Sequence, residues 1–185
     1  MLQSYINNIN HNKYLKINYK NSYNYDNLNS LKINVKFKKN FNNKFLILCI
    51  FFLFKNILLK NGYFIILNKR NKKIIGIKFI LKNNLMYNFL NFIINNFLNQ
   101  PEIQNNIKIN SFDSAGNYML SLSDNSYYYL EKLICNTNFK KVLNCFNIYI
   151  SFNFKNALKC NTNNNNLLDH IFYLNLFKFY FYDIK

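Results

Sequence analysis

Residues 111–122 read S-F-D-S-A-G-N-Y-M-L-S-L. This stretch contains Gly116, one of only three glycines among 185 residues. Asp113 can accept hydrogen bonds from the backbone amides that follow it, and Gly116 can take a positive φ without steric cost. The flanking segments, I-K-I-N-S-F and Y-M-L-S-L-S, alternate roughly with period two, as half-buried strands do. The pattern therefore predicts a tight turn between two strands.

Positive charge is concentrated in the first hundred residues. The chain has 24 Lys and Arg against 7 Asp and Glu, which gives a formal net charge of +17. Asp26 is the only acidic residue before position 101. A bias toward A/T-rich codons, typical of organelle genomes, would explain the many Asn and Lys residues but not the missing acids. The charge indicates a partner with dense negative charge, either a nucleic acid or an anionic membrane.

Few side chains are arranged for chemistry. The four cysteines include no C-x-x-C pair and no His at ligand spacing, which favours reduced structural thiols over zinc or disulfides. His11 and His170 stand alone, so structural or solvated roles are expected for both. Paired carboxylates, a Gly-rich phosphate loop and a Ser/His/Asp arrangement are all missing from the sequence. The sequence predicts a protein that is not an enzyme and uses no metal or cofactor.

The periodicity predicts a single α+β domain over residues 31–185, after a basic, Asn- and Tyr-rich extension over residues 1–30. Besides the flanks of the turn, strands are expected at 31–38, 63–67, 73–81 and Phe146–Phe154. Helices are expected at 42–60, 83–99 and 167–177, the second of them capped by Asn83 or Asn84. This order predicts a mostly antiparallel sheet with helices packed on one face.

Two basic segments are candidate RNA-binding sites. The strand at 31–38 alternates apolar residues with Lys and Asn, and residues 68–73 form the densest basic cluster, at a predicted hairpin tip. Lysines neutralise phosphates, and polar sheet residues fix the register of the RNA. The candidate RNA-binding residues are Lys32, Asn34, Lys36, Lys38, Lys39, Lys69, Arg70, Lys72, Lys73 and Lys78.

The uninterrupted apolar run at 45–54 raises a membrane alternative. Ten residues are too few to cross a bilayer, which takes roughly 20. A longer segment would include Lys55 and Lys60. A buried helix that stops at Asn61 and Gly62 accounts for the run better. The alternative function is a small basic membrane-associated subunit of an organellar complex.

The F-D-x-x-G-N-Y pattern resembles the signature loop of the large-subunit ribosomal protein L five family. We call residues 112–118 the Asp113 loop; its signature positions are Phe112, Asp113, Gly116, Asn117 and Tyr118. The order of elements over residues 28–180 also resembles that family. L-K-I-N-V is similar to its first strand, I-I-G-I-K-F-I-L-K to a later strand, M-Y-N-F-L to its aromatic helix and N-I-Y-I-S to a late strand.

This resemblance implies a structural role in the central protuberance of the large ribosomal subunit. The implied partners are large-subunit rRNA, 5S rRNA, neighbouring large-subunit proteins, a small-subunit head protein across an intersubunit bridge, and peptidyl-site tRNA. Two departures argue against the finer contacts. The basic hairpin is shorter than the family's, which weakens the tRNA contact, and Gly62 and Ile80 replace a Gln and a Thr that face 5S RNA.

The codon bias and the N-terminal composition predict where the protein is made. The first residues have neither the apolar core of a signal peptide nor the Arg content of a transit peptide. We therefore expect synthesis inside an organelle, with the mitochondrial matrix and its ribosomes as the expected location and another organelle as the alternative.

Overall fold

A computed structural model describes residues 28–38, 43–67, 73–98, 100–104, 107–122, 145–154, 170–171, 173–175 and 177–181. The strands are β1 (Leu28–Phe37), β2 (Tyr63–Ile66), β3 (Ile74–Leu81), β4 (Tyr118–Leu122) and β5 (Phe146–Phe154). The helices are α1 (Lys44–Leu58), α2 (Asn83–Asn96) and the short α3 (Pro101–Gln104). Residues 170–171 and 173–175 are also helical, inside the predicted closing helix. The predicted α+β class is confirmed.

The five strands form one antiparallel sheet in the order β2-β3-β1-β5-β4. The central strand β1 alternates strictly in its second half: Ile33 and Val35 are fully buried, whereas Asn34 is partly exposed and Lys36 exposed. Burying an apolar side chain of this size stabilises the fold by about 1.5–3 kcal/mol. A slip of one residue would expose this whole set, so the alternation fixes which side of β1 faces the core.

The helices cover one face of this sheet. Phe54 of α1 packs its ring 6.0 Å from that of Phe79 in β3 and 5.9 Å from that of Phe146 in β5, measured between ring centroids. Helix α2 lies against β1 and contributes four buried side chains, Met86, Leu90, Ile93 and Ile94. The apolar side chains of the sheet therefore meet the helices, and the other face of the sheet carries its polar side chains.

Helix α1 differs from its prediction in two respects. It begins after Asn43, whose Oδ1 accepts from the backbone N of Phe45 at 3.1 Å, and it ends at Leu59 in a left-handed conformation (φ 50°). Gly62 lies beyond this end and does not cap the helix. The prediction of a buried helix is also wrong for one side of α1, because several of its apolar side chains are exposed. An apolar run without periodicity cannot indicate which side faces the core.

Two further expectations are wrong. The segment before the Asp113 loop is not a strand: Ile109–Ser111 form a 3-10 turn, and only Phe112 bridges to Tyr118. Ile107 and Ile109 are two residues apart, which is also the spacing of side chains on one face of a strand. So short a segment therefore does not distinguish a strand from a single turn. The second helix takes no cap from Asn83 or Asn84: Lys82 occupies the cap position without a side-chain hydrogen bond.

The start of β1 differs from the prediction. It begins at Leu28 rather than at position 31, so residues 28–30 belong to the sheet and not to the N-terminal extension. The rest of that extension, the hairpin tip at 68–72, the segment 123–144 and the Asn-rich segment 161–166 lie outside the described residues.

Candidate nucleic-acid interface

One row of side chains crosses all five strands on the face of the sheet opposite the helices. Asn34 of β1 is paired with Lys78 of β3 on one side and with Tyr149 of β5 on the other. Lys78 in turn is opposite Tyr63 of β2, and Tyr149 is opposite Ser121 of β4. Directly opposed residues of antiparallel strands point to the same face. The row therefore has a lysine and an asparagine near its centre, between two tyrosines.

The neighbouring rows add two further lysines. Lys32 lies between Ile80 and Ser151, and Lys36 lies between Gly76 and Asn147. None of the five strands contains an Asp or Glu. We call this the open sheet face and define it by Lys32, Asn34, Lys36, Tyr63, Lys78, Ile80, Asn147, Tyr149 and Ser151. Its charge is positive with no acid among the strand residues to offset it, so it attracts phosphate.

Four of the ten predicted RNA-binding residues thus meet on one face: Lys32, Asn34, Lys36 and Lys78. Lys38 follows the end of β1 and Lys73 precedes the start of β3, so both exposed lysines lie at the same end of this antiparallel pair. The other four lie outside the described residues: Lys39, Lys69, Arg70 and Lys72.

Sequence reasoning missed the contribution of β5 to this face. Asn147, Tyr149 and Ser151 stand beside Lys36, Asn34 and Lys32 respectively. The signal was available in F-N-I-Y-I-S-F-N-F, where every second side chain is polar or carries a hydroxyl. The sequence does not show which basic strand β5 pairs with, because strand order is not a local property of the sequence.

The Asp113 loop is closed by its own hydrogen bonds. Asp113 Oδ1 accepts from the backbone N of Ala115 at 3.0 Å and of Asn117 at 2.7 Å, while Oδ2 accepts from Asn117 Nδ2 at 2.9 Å. Gly116 has φ 77° and its N donates to the Asp113 carbonyl at 2.9 Å. The predicted roles of Asp113 and Gly116 in shaping the turn are confirmed.

The aromatic residues of the loop belong to the core. Tyr118 is fully buried, and its ring lies 4.9 Å from Phe112, 5.8 Å from Phe152 and 5.4 Å from Phe181, centroid to centroid. Three parts of the chain thus meet around one ring: the loop, strand β5 and the C-terminal segment. Phe112 and Tyr118 therefore hold the fold together at this end of the sheet.

A buried histidine ties the same loop to the closing helix. His170 is fully buried, with Nδ1 2.9 Å from the Gly116 carbonyl oxygen, and its ring stacks on Phe154 at a centroid distance of 4.1 Å. These contacts use one ring nitrogen and one ring face for packing and hydrogen bonding inside the fold. The expectation of a structural rather than catalytic His170 agrees with this position.

Removing the Asp113 carboxylate should open the loop. We expect Asp113→Ala to lower the free energy of unfolding by about 1–3 kcal/mol, because backbone amides lose a charged acceptor. Asp113→Asn keeps one acceptor oxygen but replaces the other with an NH₂ group, which would face either the backbone N or the side-chain Nδ2 of Asn117. We therefore expect a smaller loss of unfolding free energy than for Asp113→Ala. Urea unfolding followed by circular dichroism measures both. Ser114→Ala, an exposed change in the same loop, is the control, and a loss as large as that of Asp113→Ala would contradict this role.

Burial raises the pKa of the Tyr118 phenol above its usual 10.0. The folded state therefore keeps the proton that the unfolded state releases as the pH rises past the ordinary value. Stability from this group is fully present below about pH 10 and decreases above it. We expect the urea midpoint of the wild type to fall more between pH 9 and 11 than that of Tyr118→Phe. Parallel curves for the two proteins would contradict the prediction.

A polar groove connects the Asp113 loop to the open sheet face. Its volume is about 390 Å³, and its lining combines apolar Phe112 and Met119 with polar Lys32, Asn110, Asp113, Asn117, Ser151 and Asn153. One lysine, one carboxylate and several amides and hydroxyls can therefore reach the same small ligand. A groove with this mixture of donors and acceptors suits a polar planar group such as a nucleobase, with phosphate near Lys32.

The described part of the chain contains no group of three or more His, Cys, Asp or Glu placed to hold a metal ion. Among its helices, none is both long and apolar enough to cross a membrane. No protein-family model matches this chain, and a search of curated proteins gives no match.

Proposed function

We propose that this chain is a structural RNA-binding protein of the large subunit of an organellar, mitochondrial ribosome, of the L five type. In that role it binds rRNA at the central protuberance, contributes to the bridge with the small-subunit head and supports translation. The observation that carries the proposal is the open sheet face, where Lys32, Lys36 and Lys78 surround Asn34 with no acid on any strand. The F-D-x-x-G-N-Y loop supports the same assignment.

The open sheet face suits an RNA backbone in spacing as well as charge. Lys32 and Lys36 lie four residues apart on one strand, which is about 13 Å at the usual rise of a strand. Lys78 lies one strand away, about 5 Å to the side of Asn34. Three ammonium groups at these distances can contact separate phosphates, while the amide of Asn34 can donate to or accept from a 2′-hydroxyl or a base edge. The rigid sheet fixes their relative positions before RNA arrives.

The aromatic residues of this face give a second means of contact. Tyr149 beside Asn34 is partly exposed, and Tyr63 at the edge strand is 64% exposed. An unpaired base can stack on such a ring at about 1–3 kcal/mol, and the polar groove beside Lys32 can take a base turned out of its helix. Contact with single-stranded or bulged RNA is therefore part of the proposal.

The departures from the family favour large-subunit rRNA over 5S rRNA as the main ligand. A Cβ added at Gly62 would lie 2.6 Å from the Phe79 ring, so a side chain there would displace a core residue. Ile80 places an apolar side chain beside Lys32 on the open sheet face. Neither position supplies the hydrogen bond of a Gln or Thr. A 5S contact would have to use the lysines and the other polar side chains of the face, without these two groups.

Salt titration and crosslinking test the proposal. Binding of the full chain to a transcript of large-subunit rRNA should weaken linearly in log K against log salt concentration. Lysine-directed crosslinking of intact ribosomes should link Lys32, Lys36 and Lys78 to large-subunit RNA. A salt-independent affinity, or a chain that separates from the large subunit on sucrose gradients at low salt, would sink the proposal.

A further inference from the structure

The outward side of α1 is a row of exposed apolar side chains. Phe45, Leu48, Phe52 and Leu59 are 71, 47, 54 and 75% exposed, although the opposite side of the same helix already fills the core. Phe45, Leu48 and Phe52 follow one another at steps of three and four residues, so they line one side of the helix, and Leu59 follows just after its last turn. We call these four residues the α1 stripe. Several large apolar side chains exposed on one side of a helix mark a contact site.

The α1 stripe continues into a groove between α1 and α2. The groove has a volume of about 400 Å³, and Leu59 belongs to its lining together with Ile57, Leu85, Phe89 and Phe92. Phe89 and Phe92 stack at a centroid distance of 6.0 Å and form one wall. Asn56 and Asn88 are the polar lining residues, and no charged side chain lines the groove. The groove can therefore receive apolar side chains from a partner.

Spacing and charge define the partner. Steps of three and four residues are those of the a and d positions of a heptad, the pattern by which one helix packs against another. The charged residues in 44–60 are Lys44, Lys55 and Lys60, with no acid among them. We propose that the α1 stripe and its groove dock an acidic amphipathic α-helix of another protein. Its apolar side would lie on the stripe and its carboxylates beside the three lysines.

The same observations disfavour other occupants. A second copy of this chain would bring the three lysines of one helix against those of another, so like charges would oppose the contact. A bilayer surface would meet the projecting stripe but would leave the concave groove unfilled. Because α1 covers the helical face of the sheet, the docked helix and RNA on the open sheet face would occupy opposite sides of the domain. This inference does not depend on what binds the open sheet face.

Peptide binding to the full-length chain tests the docking site. The probes are two labelled three-heptad helices with Leu at positions a and d, one with Glu at e and g and the other with Lys. Fluorescence anisotropy should show the Glu peptide binding at least about tenfold more tightly than the Lys peptide. Leu48→Ser with Phe52→Ser should weaken the Glu peptide at least about tenfold. Tyr180→Ser, which changes an equally exposed aromatic residue (56%) elsewhere, should leave its binding unchanged.

Three results would overturn the inference. One is equal affinity of the wild type for the Glu and the Lys peptide, or equal affinity of the wild type and the double variant for the Glu peptide. Another is a dimer, seen by sedimentation equilibrium, that the double variant abolishes, because the stripe would then be covered by a second copy. The last is binding of the wild type, but not of the double variant, to vesicles of phosphatidylglycerol and phosphatidylcholine, when the wild type does not bind the Glu peptide. Circular dichroism and urea midpoints equal to the wild type establish that the double variant is folded.

Discussion

Glutamine at Lys32, Lys36 and Lys78 together should weaken binding to large-subunit rRNA about a hundredfold at physiological salt. Each lysine that neutralises a phosphate releases counterions and contributes about 0.7–0.9 to the slope of log K against log salt. Three lost contacts should therefore lower that slope by about 2–3. The substituted side chains lie on the open sheet face, away from the helices, so the fold should be retained. Filter binding over a range of salt concentrations measures both quantities.

Helix α1 offers a matched control for the triple variant. Glutamine at Lys44, Lys55 and Lys60 removes the same charge from the opposite side of the domain. We expect this control to change the affinity by less than about threefold, because only the long-range field is altered and salt screens it beyond about 8 Å. Equal losses in the two triple variants would mean that net charge alone attracts RNA, and the open sheet face would then lose its assigned role.

Tyr118→Ala should lower the free energy of unfolding by about 3–5 kcal/mol, the range for truncating a large buried aromatic residue. The ring is fully buried and contacts aromatic residues from the Asp113 loop, from β5 and from the C-terminal segment. Its removal leaves a cavity where these three meet. Small domains have only about 5–15 kcal/mol of stability in total, so the loss is a large share of it. Urea unfolding at pH 7 measures the change.

The control is the same Tyr→Ala change at an exposed position. Tyr180→Ala deletes an equally large side chain that is 56% exposed, and a change of less than about 0.5 kcal/mol is expected. The Asp113 loop and residues 177–181 should also become more sensitive to limited proteolysis in Tyr118→Ala than in the control. Similar unfolding free energies for the two variants would show that Tyr118 does not hold these segments together.

The parts of the fold that local patterns specify could be predicted from the sequence. Strands β1 and β5 alternate over about eight residues or more and β3 over Ile77–Leu81, and the structure has all three within a few residues of their predicted ends. The bonds of Asp113 and the positive φ of Gly116 also follow from local chemistry, because each residue type suits one kind of turn. These features depend on neighbours in the chain.

Long-range pairing could not be predicted in the same way. Asn34 and Tyr149 stand side by side only because β1 pairs with β5, and no local pattern encodes that register. The exposed side of α1 was missed for a related reason. Between Phe45 and Phe54 its side chains are apolar all around, so the sequence predicts burial but not which side the sheet will cover. The candidate site is therefore assembled from predictable strands in an arrangement that only the folded chain reveals.

The position of β1 in the sheet has a consequence for synthesis. This strand is made before its neighbour β5, which is complete only at Phe154. Between the end of β1 and the start of β5, translation takes on the order of ten seconds at usual rates. During that interval one edge of β1 has no native partner, and its apolar side chains lack those of β5 to pack against. The nascent chain thus depends on β5 to protect β1 from aggregation.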